Sequence, residues 1–311
     1  MGTADDFMNS FFAAYPHARN GTLSIEELNI LMYEHQQKIN NSPLDNFDGI
    51  SPEQMNALLY APFAPDNILQ FKKDMDFHVS KSPFFRLSEI LINEIRQAGS
   101  LKLTVNGNLP IRICELLCGQ NLINWPYMQL VKRVREEEIP YLWPLKQYLL
   151  DEGIVKKRNN ALSLTKNGEK RLEESMSVRF IQMFNYFGTR FHWNNFYELQ
   201  DNGKYGQLGW TYSLVLLAKY GDSARKSDFY SLKLIQAFEE HLWEAHQNGK
   251  EGKANEDFHQ AYKIRFFECF ANWFGLVNIE SKSDRSFSYF DRPLITKSEL
   301  FNQLFELNYT R

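Results

Sequence analysis

The run of side chains with a chemistry attached is Lys156-Lys157-Arg158, followed by Asn159-Asn160. Consecutive cations on a turn make charge-assisted hydrogen bonds to phosphate oxygens. Such contacts hold a protein on a nucleic acid and carry no sequence information. Lys166, Lys170 and Arg171 follow closely, and Lys132, Arg133 and Arg135 precede the run. Lys156, Lys157, Arg158, Lys166, Lys170 and Arg171 are thus the candidate nucleic-acid-binding residues. The competing reading is a solvated hairpin on a domain that binds only protein.

Other polar groupings point to less. Cys114 and Cys118 are four apart and stack on one helical face. No further metal ligands lie near them in sequence, so they read as small core residues. His241 and His246, with Glu244 between them, are spaced i, i+5. Two histidines on one ion need i, i+4, so these read as surface positions near a helix C-terminus. Residues 20–27 imitate the second half of a calcium loop, yet the first two ligand positions then fall on Pro16 and Ala18, which offer no carboxylate. Glu136-Glu137-Glu138, ahead of Pro140, reads as a solvated turn. The sequence has neither a phosphate-cradling glycine loop nor a Gly-x-Ser-x-Gly elbow. No catalytic residue, metal ligand or cofactor is assigned, and the reading leans away from an enzyme.

The elements that must position the cationic run lie within residues 143–174. A helix from Trp143 to Leu150 stops at Gly153, and Ile154-Val155 begins a strand. The turn and a second strand, Ala161 to Thr165, follow, and Asn167-Gly168 leads into a charged helix. Helix, two-stranded wing, helix is the order of a winged helix-turn-helix. The pattern Leu-x-Leu-Thr-x-Asn-Gly occurs at 101–107 and again at 162–168. A looser copy lies near the C-terminus. There Trp273-Phe-Gly-Leu-Val277 echoes Glu152-Gly-Ile-Val155, and Leu294-Ile-Thr-Lys297 echoes Leu162-Ser-Leu-Thr165. Winged units are expected at 140–174 and 262–307, with a degenerate one at 85–125.

The expected fold class is mainly α: multi-helical, with two to three winged-helix-like units, each a helix plus a β-hairpin wing. The boundaries read as an acidic N-terminal helical segment (1–48) and a helical region holding the degenerate unit (49–125). A winged-helix-like domain (126–176), an aromatic-rich helical domain (177–258) and a C-terminal winged-helix-like unit (259–311) follow. Ser24-Ile-Glu-Glu27 and Ser51-Pro-Glu-Gln54 are capping boxes that open helices. Residues 66–83 read as irregular, and 247–257 as a polar, flexible excursion. Phe180, Phe184, Phe187, Trp193 and Trp210 recur at helical spacing and read as core rather than as a base-stacking platform.

Across 311 residues, 43% hydrophobic and 15% aromatic content suffices for a sizeable core. The net charge of −3 conceals a gradient. Residues 1–80 hold 4 basic and 11 acidic side chains, residues 81–177 hold 15 and 11, and residues 178–311 hold 16 of each. Only the middle section is basic, and mildly so, whereas phosphate neutralisation usually demands more. Three cysteines and the lack of a leader fit a reducing cytosol, so a cytoplasmic location is expected. No apolar run approaches the length of a membrane span. The expected partners are double-stranded nucleic acid and protein, and no membrane.

Four blocks also carry a resemblance: LKLTVNGNLP (101–110), IVKKRNNALSLTKNG (154–168), SLVLLAKYGD (213–222) and YKIRFFECFANWFGLVNIE (262–280). They look like blocks of an uncharacterised bacterial protein family with winged-helix-like units. Some of its members are joined to a domain named after a plasmid open reading frame, the pRiA4b ORF-3-like domain. The resemblance covers roughly residues 50–307. It departs where a basic residue is expected after Leu109-Pro110 and Ile111 stands instead. It implies the architecture and no activity or site residue.

Overall fold

Side-chain hydroxyls cap five of the helix starts. Ser24, Ser51, Thr165, Ser175 and Ser298 each accept a backbone N–H from the first turn of the helix that follows. At Ser24 and Ser51 the reciprocal bonds from Glu27 and Gln54 complete both capping boxes. A computed structural model describes residues 4–125, 128, 131–199, 204–246, 251–280 and 291–308. The chain is mainly helical, and it divides into two compact units, Met1–Asn67 and Ile68–Arg311.

The smaller unit contains α1 (Ala4–Ala14), α2 (Ile25–Asn40) and α3 (Pro52–Tyr60). Phe11 is its fully buried ring, and His35 packs against Phe7, Phe11 and Tyr15 while sharing a 2.9 Å hydrogen bond with Ser10. Glu27, the last residue of the calcium-like stretch, is committed to the Ser24 N–H.

The larger unit begins with β1 (Leu69–Phe71) and α4 (Asp76–Val79), inside the stretch that sequence marks as irregular. Its β1 is extended because it pairs antiparallel with β8 (Phe305–Leu307) at the far end of the chain. No local pattern could announce that partner. Between them lie α5 (Pro83–Ala98), β2 (Leu101–Lys102), α6 (Ile111–Cys118), α7 (Leu142–Asp151), β3 (Val155–Arg158), β4 (Ala161–Leu164), α8 (Lys166–Arg171) and α9 (Met176–Asn185). After a π-helical turn (Tyr186–Arg190) come α10 (Lys204–Gln207), α11 (Trp210–Tyr220), β5 (Arg225–Lys226), α12 (Ser227–His246) and α13 (Glu251–Tyr262). A second π-helical stretch (Lys263–Ala271), β6 (Val277–Glu280), β7 (Leu294–Lys297) and α14 (Glu299–Leu304) complete the order. Residues 251–257, expected in a flexible excursion, form the start of α13; residues 247–250 lie outside the described residues. The side chains of His241, Glu244 and His246 lie outside them too.

Two small antiparallel sheets have the same plan. Their strand orders are β2-β4-β3 and β5-β7-β6, so in each the hairpin's second strand is central. β2 therefore belongs to the sheet of β3 and β4, and the 85–125 stretch contributes to that sheet rather than making a unit of its own. Likewise β6 and β7 take their third strand from residues 225–226, well before position 259.

The likeness extends to single hydrogen bonds. Gly153 and Gly275 are both left-handed, at φ 62° and 78°. Ile154 donates its N–H to Leu149 O at 3.0 Å, and Leu276 donates to Ala271 O at 2.8 Å. Thr165 Oγ1 donates to Gly153 O at 2.6 Å, and Ser298 Oγ to Gly275 O at 2.7 Å. Ser298, not Thr296, thus occupies the place of Thr165. The repeat read from sequence is real in its first half and shifted by two residues in its second.

The rings of the 177–258 stretch build the core. Phe180, Phe184, Phe187 and Trp193 are fully buried and interlock with Phe84, Phe270 and Phe274. Close approach demands glycine at 188, where a Cβ would come within 2.5 Å of the Trp210 ring.

Candidate nucleic-acid interface

The cationic run lies on a tight hairpin. Asn159 and Asn160 are both left-handed, at φ 49° and 54°, which suits a two-residue turn between right-twisted strands. The Asn160 side chain donates to Thr104 O at 2.6 Å and ties the turn to the segment after β2.

Strand register then sorts the cations. Val155 pairs with Leu164, Lys156 with Ser163, Lys157 with Leu162 and Arg158 with Ala161. On the other side of β4, Leu101 pairs with Leu162 and Lys102 with Ala161. Paired residues share a face. Leu101, Leu162 and Val155 are buried on that face; Lys157 shares the face by register but is itself exposed. Its ammonium lies against Gly107, at 2.7 Å from where a Cβ would stand. Lys102, Lys156 and Arg158 share the opposite face, and all three are exposed. Lys102 and Arg158 flank Ala161 across two strand spacings, about 10 Å. Lys102 is absent from the sequence-derived set. Its alternation with Leu101 and Leu103 was visible, but its partner strand was 59 positions away.

The remaining candidates divide. Lys166 and Lys170 are exposed on α8. Arg171 is not a free surface cation: it pairs with Glu152 at 2.8 Å, and the two side chains are only 17% and 9% exposed. The same carboxylate also accepts from Arg190. Arg171 lines a small cavity with Glu89, Tyr148 and Arg179, and burial pushes the Tyr148 phenol well above its usual range. Upstream, Lys132, Arg133 and Arg135 are exposed.

The helix before the hairpin offers no matching charge. Lys146 is the basic residue of α7, and it is buried against Glu136 at 2.5 Å while donating to Gly107 O at 2.9 Å. Glu136 in turn accepts the Leu109 N–H at 2.6 Å. It is 2% exposed, so Glu136 is a buried anchor, while Glu137 and Glu138 of the same run are exposed as expected. Rings pack on part of α7, although its Trp143 remains exposed. Tyr148 packs on Tyr186 and Phe187, and Trp143 on Phe191. Tyr186 also donates its hydroxyl to Asp151 at 2.6 Å.

The second sheet lacks the cationic face. Asn278 and Glu280 stand where Lys156 and Arg158 stand in the first. The helical segment before it is equally closed, with Lys263 and Arg265 buried. Arg265 donates to Tyr197 O, Tyr205 O and Asn194 Oδ1.

Cys114, Cys118 and Cys269 are buried thiols. Burial pushes the Cys114 thiol up to about 12, which suits a packing role rather than a nucleophile. Among the described residues no group of three or more His, Cys, Asp or Glu is placed to hold a metal ion. None of their helices is long and apolar enough to cross a membrane. Comparison of the chain with protein-family models, with curated proteins and with solved structures gives no match.

Proposed function

We propose that the chain is a cytoplasmic protein with two winged-helix units, which contacts the phosphate backbone of duplex nucleic acid through the open face of its first wing. A regulatory role on nucleic acid is part of the same proposal. The observation that carries this reading is the row Lys102, Lys156 and Arg158, in register on one exposed sheet face. Lys166 and Lys170 extend the cationic surface along α8. In this reading the third helix of the unit, α7, reads no bases. Its lysine is consumed internally and its Tyr148 is packed against aromatic rings. Binding is then electrostatic and indifferent to sequence. The bacterial family resembled by the four blocks is part of the same proposal and contributes no residue role.

The test is a salt titration of duplex binding by wild type and by a Lys102→Ala, Lys156→Ala, Arg158→Ala variant. The slope of log affinity against log salt should become shallower by roughly 2 to 3 in the variant, about 0.9 per lost phosphate contact. Scrambling the duplex should leave both affinities unchanged. Equal slopes for the two proteins would sink the idea.

A second reading, a non-catalytic adaptor that docks protein, is favoured by the closure of α7 itself. It predicts no duplex binding by the wild type, and loss of a captured protein partner when the same three side chains are truncated.

A further inference from the structure

Beside the wing tip stands an apolar side chain that the cationic run does not explain. Beyond β2 the chain makes a tight turn, Thr104-Val105-Asn106-Gly107, closed by a 2.8 Å hydrogen bond from Gly107 N to Thr104 O. Gly107 takes the left-handed conformation this turn needs, at φ 78°. Val105, the second residue of the turn, is 98% exposed, beyond any other large apolar side chain among the described residues. A lone exposed valine is ordinary on a protein surface. A valine at a turn apex is less so. Asn, Asp, Ser, Pro and Gly have local reasons to stand there, and a β-branched apolar side chain has none.

The turn that carries it is held on both flanks. Asn160 of the hairpin donates to Thr104 O at 2.6 Å, and Asn108 N donates to Thr104 Oγ1 at 3.0 Å. Lys146 donates to Gly107 O at 2.9 Å, and the Asn108 side chain donates to Glu137, also at 2.9 Å. A tip fixed in this way has little freedom left to lose on meeting a partner, so even one apolar contact is retained as affinity.

The surroundings point to the partner. Lys102 precedes the turn on its strand, and Arg158 flanks Ala161 on the other side, both on the open sheet face. The Lys157 ammonium lies against Gly107, on the other face. Cations thus stand to both sides of a tip one residue wide. The minor groove of B-form DNA is about 6 Å across and is bounded by a phosphate row on each side, whereas the major groove, about 12 Å across, takes a helix or a ribbon.

We propose, resting on the phosphate contacts of the wing above, that Val105 enters the minor groove of duplex DNA and packs on the deoxyribose rings. Lys157 then meets the phosphates of one rim, and Lys102 with Arg158 those of the other. An apolar contact with sugars reads no bases and releases no counterions.

The test is binding of the full chain to a labelled A·T-rich duplex, by fluorescence anisotropy over a salt series, for wild type and Val105→Ser. The side chain is exposed, so the substitution leaves the fold intact. Affinity should fall about three- to tenfold, the scale of partly burying one valine. The slope of log affinity against log salt should not change, because no phosphate contact is lost. The Lys102→Ala, Lys156→Ala, Arg158→Ala variant behaves in the opposite way, with a shallower slope, so the two contacts are read separately. Filling the minor groove with netropsin should abolish the difference between wild type and Val105→Ser. Equal affinities of these two proteins for the bare duplex overturn the groove contact and leave the phosphate contacts of the wing standing. A difference that persists on the netropsin-filled duplex overturns it as well. No duplex binding by the wild type overturns both.

Discussion

Lys146 and Glu136 form an ion pair of 2.5 Å, with side chains 7% and 1% exposed. The pair spans the chain from the end of the 131–138 segment to the middle of α7. Through Gly107 O and Leu109 N it also holds the 103–110 loop. Replacing Lys146 by Met leaves a buried carboxylate without its cation, so unfolding stability should fall by about 3–5 kcal/mol. Replacing both residues, Lys146→Met with Glu136→Leu, should cost clearly less. Urea denaturation of the single and double variants measures the difference.

Gly168 meets the Ile154 carbonyl so closely that a Cβ would lie 2.1 Å from the oxygen. The conflict is with backbone, which cannot rotate aside. Gly153, by contrast, would place its Cβ at 4.0 Å from the Asn167 amide nitrogen, an ordinary contact, and has only a left-handed φ of 62° against it. Gly168→Ala should therefore lower stability by about 3 kcal/mol or more, and Gly153→Ala by about 1–2 kcal/mol. Thermal melts of the two variants should rank in that order.

Arg171 is expected to matter for stability and not for binding. Arg171→Gln removes one of two arginines from the nearly buried Glu152 carboxylate. A loss of about 1–3 kcal/mol should follow, with duplex affinity within twofold of wild type. Lys156→Ala should behave in the opposite way, moving affinity and leaving the denaturation midpoint within about 0.5 kcal/mol.

Burial pushes the Glu268 carboxyl up to about 7, the nearby Asp291 adding to the rise, while the Lys263 ammonium at 3.8 Å opposes it. The unfolded chain releases this proton near pH 4.5, earlier than the folded one does. Between those values the folded state binds more protons, so stability falls as pH rises and the loss is complete above about pH 7. The effect reaches at most about 3 kcal/mol. Glu268→Gln should flatten this part of the profile. Denaturation midpoints at pH 5 and pH 8 for both proteins decide the point; equal differences would refute it.

Much of the local structure is legible in the sequence because its causes are local. Capping boxes at Ser24 and Ser51 need only residues three apart, and Gly153 or Asn159-Asn160 marks a turn by its own backbone preference. The aromatic spacing that places Phe180, Phe184 and Phe187 in the core is likewise a property of one helix. β1 illustrates the opposite case. Three residues become a strand because Phe305–Leu307 lie beside them, and nothing within residues 66–83 says so.

The cationic hairpin divides along the same line. Sequence alone determines that Lys156-Lys157-Arg158 belongs to a hairpin and that a related hairpin recurs near the C-terminus; the three cations, expected on the turn, lie in its first strand, and the turn is Asn159-Asn160 alone. The tertiary structure decides which of those charges share a face, because register sets Lys157 on the face opposite Lys156 and Arg158 and brings Lys102 beside Arg158. It also withdraws Arg171 and Lys146 into ion pairs with Glu152 and Glu136. A side chain's type and its neighbours along the chain are local facts. Its availability depends on what distant segments bring within a few ångströms.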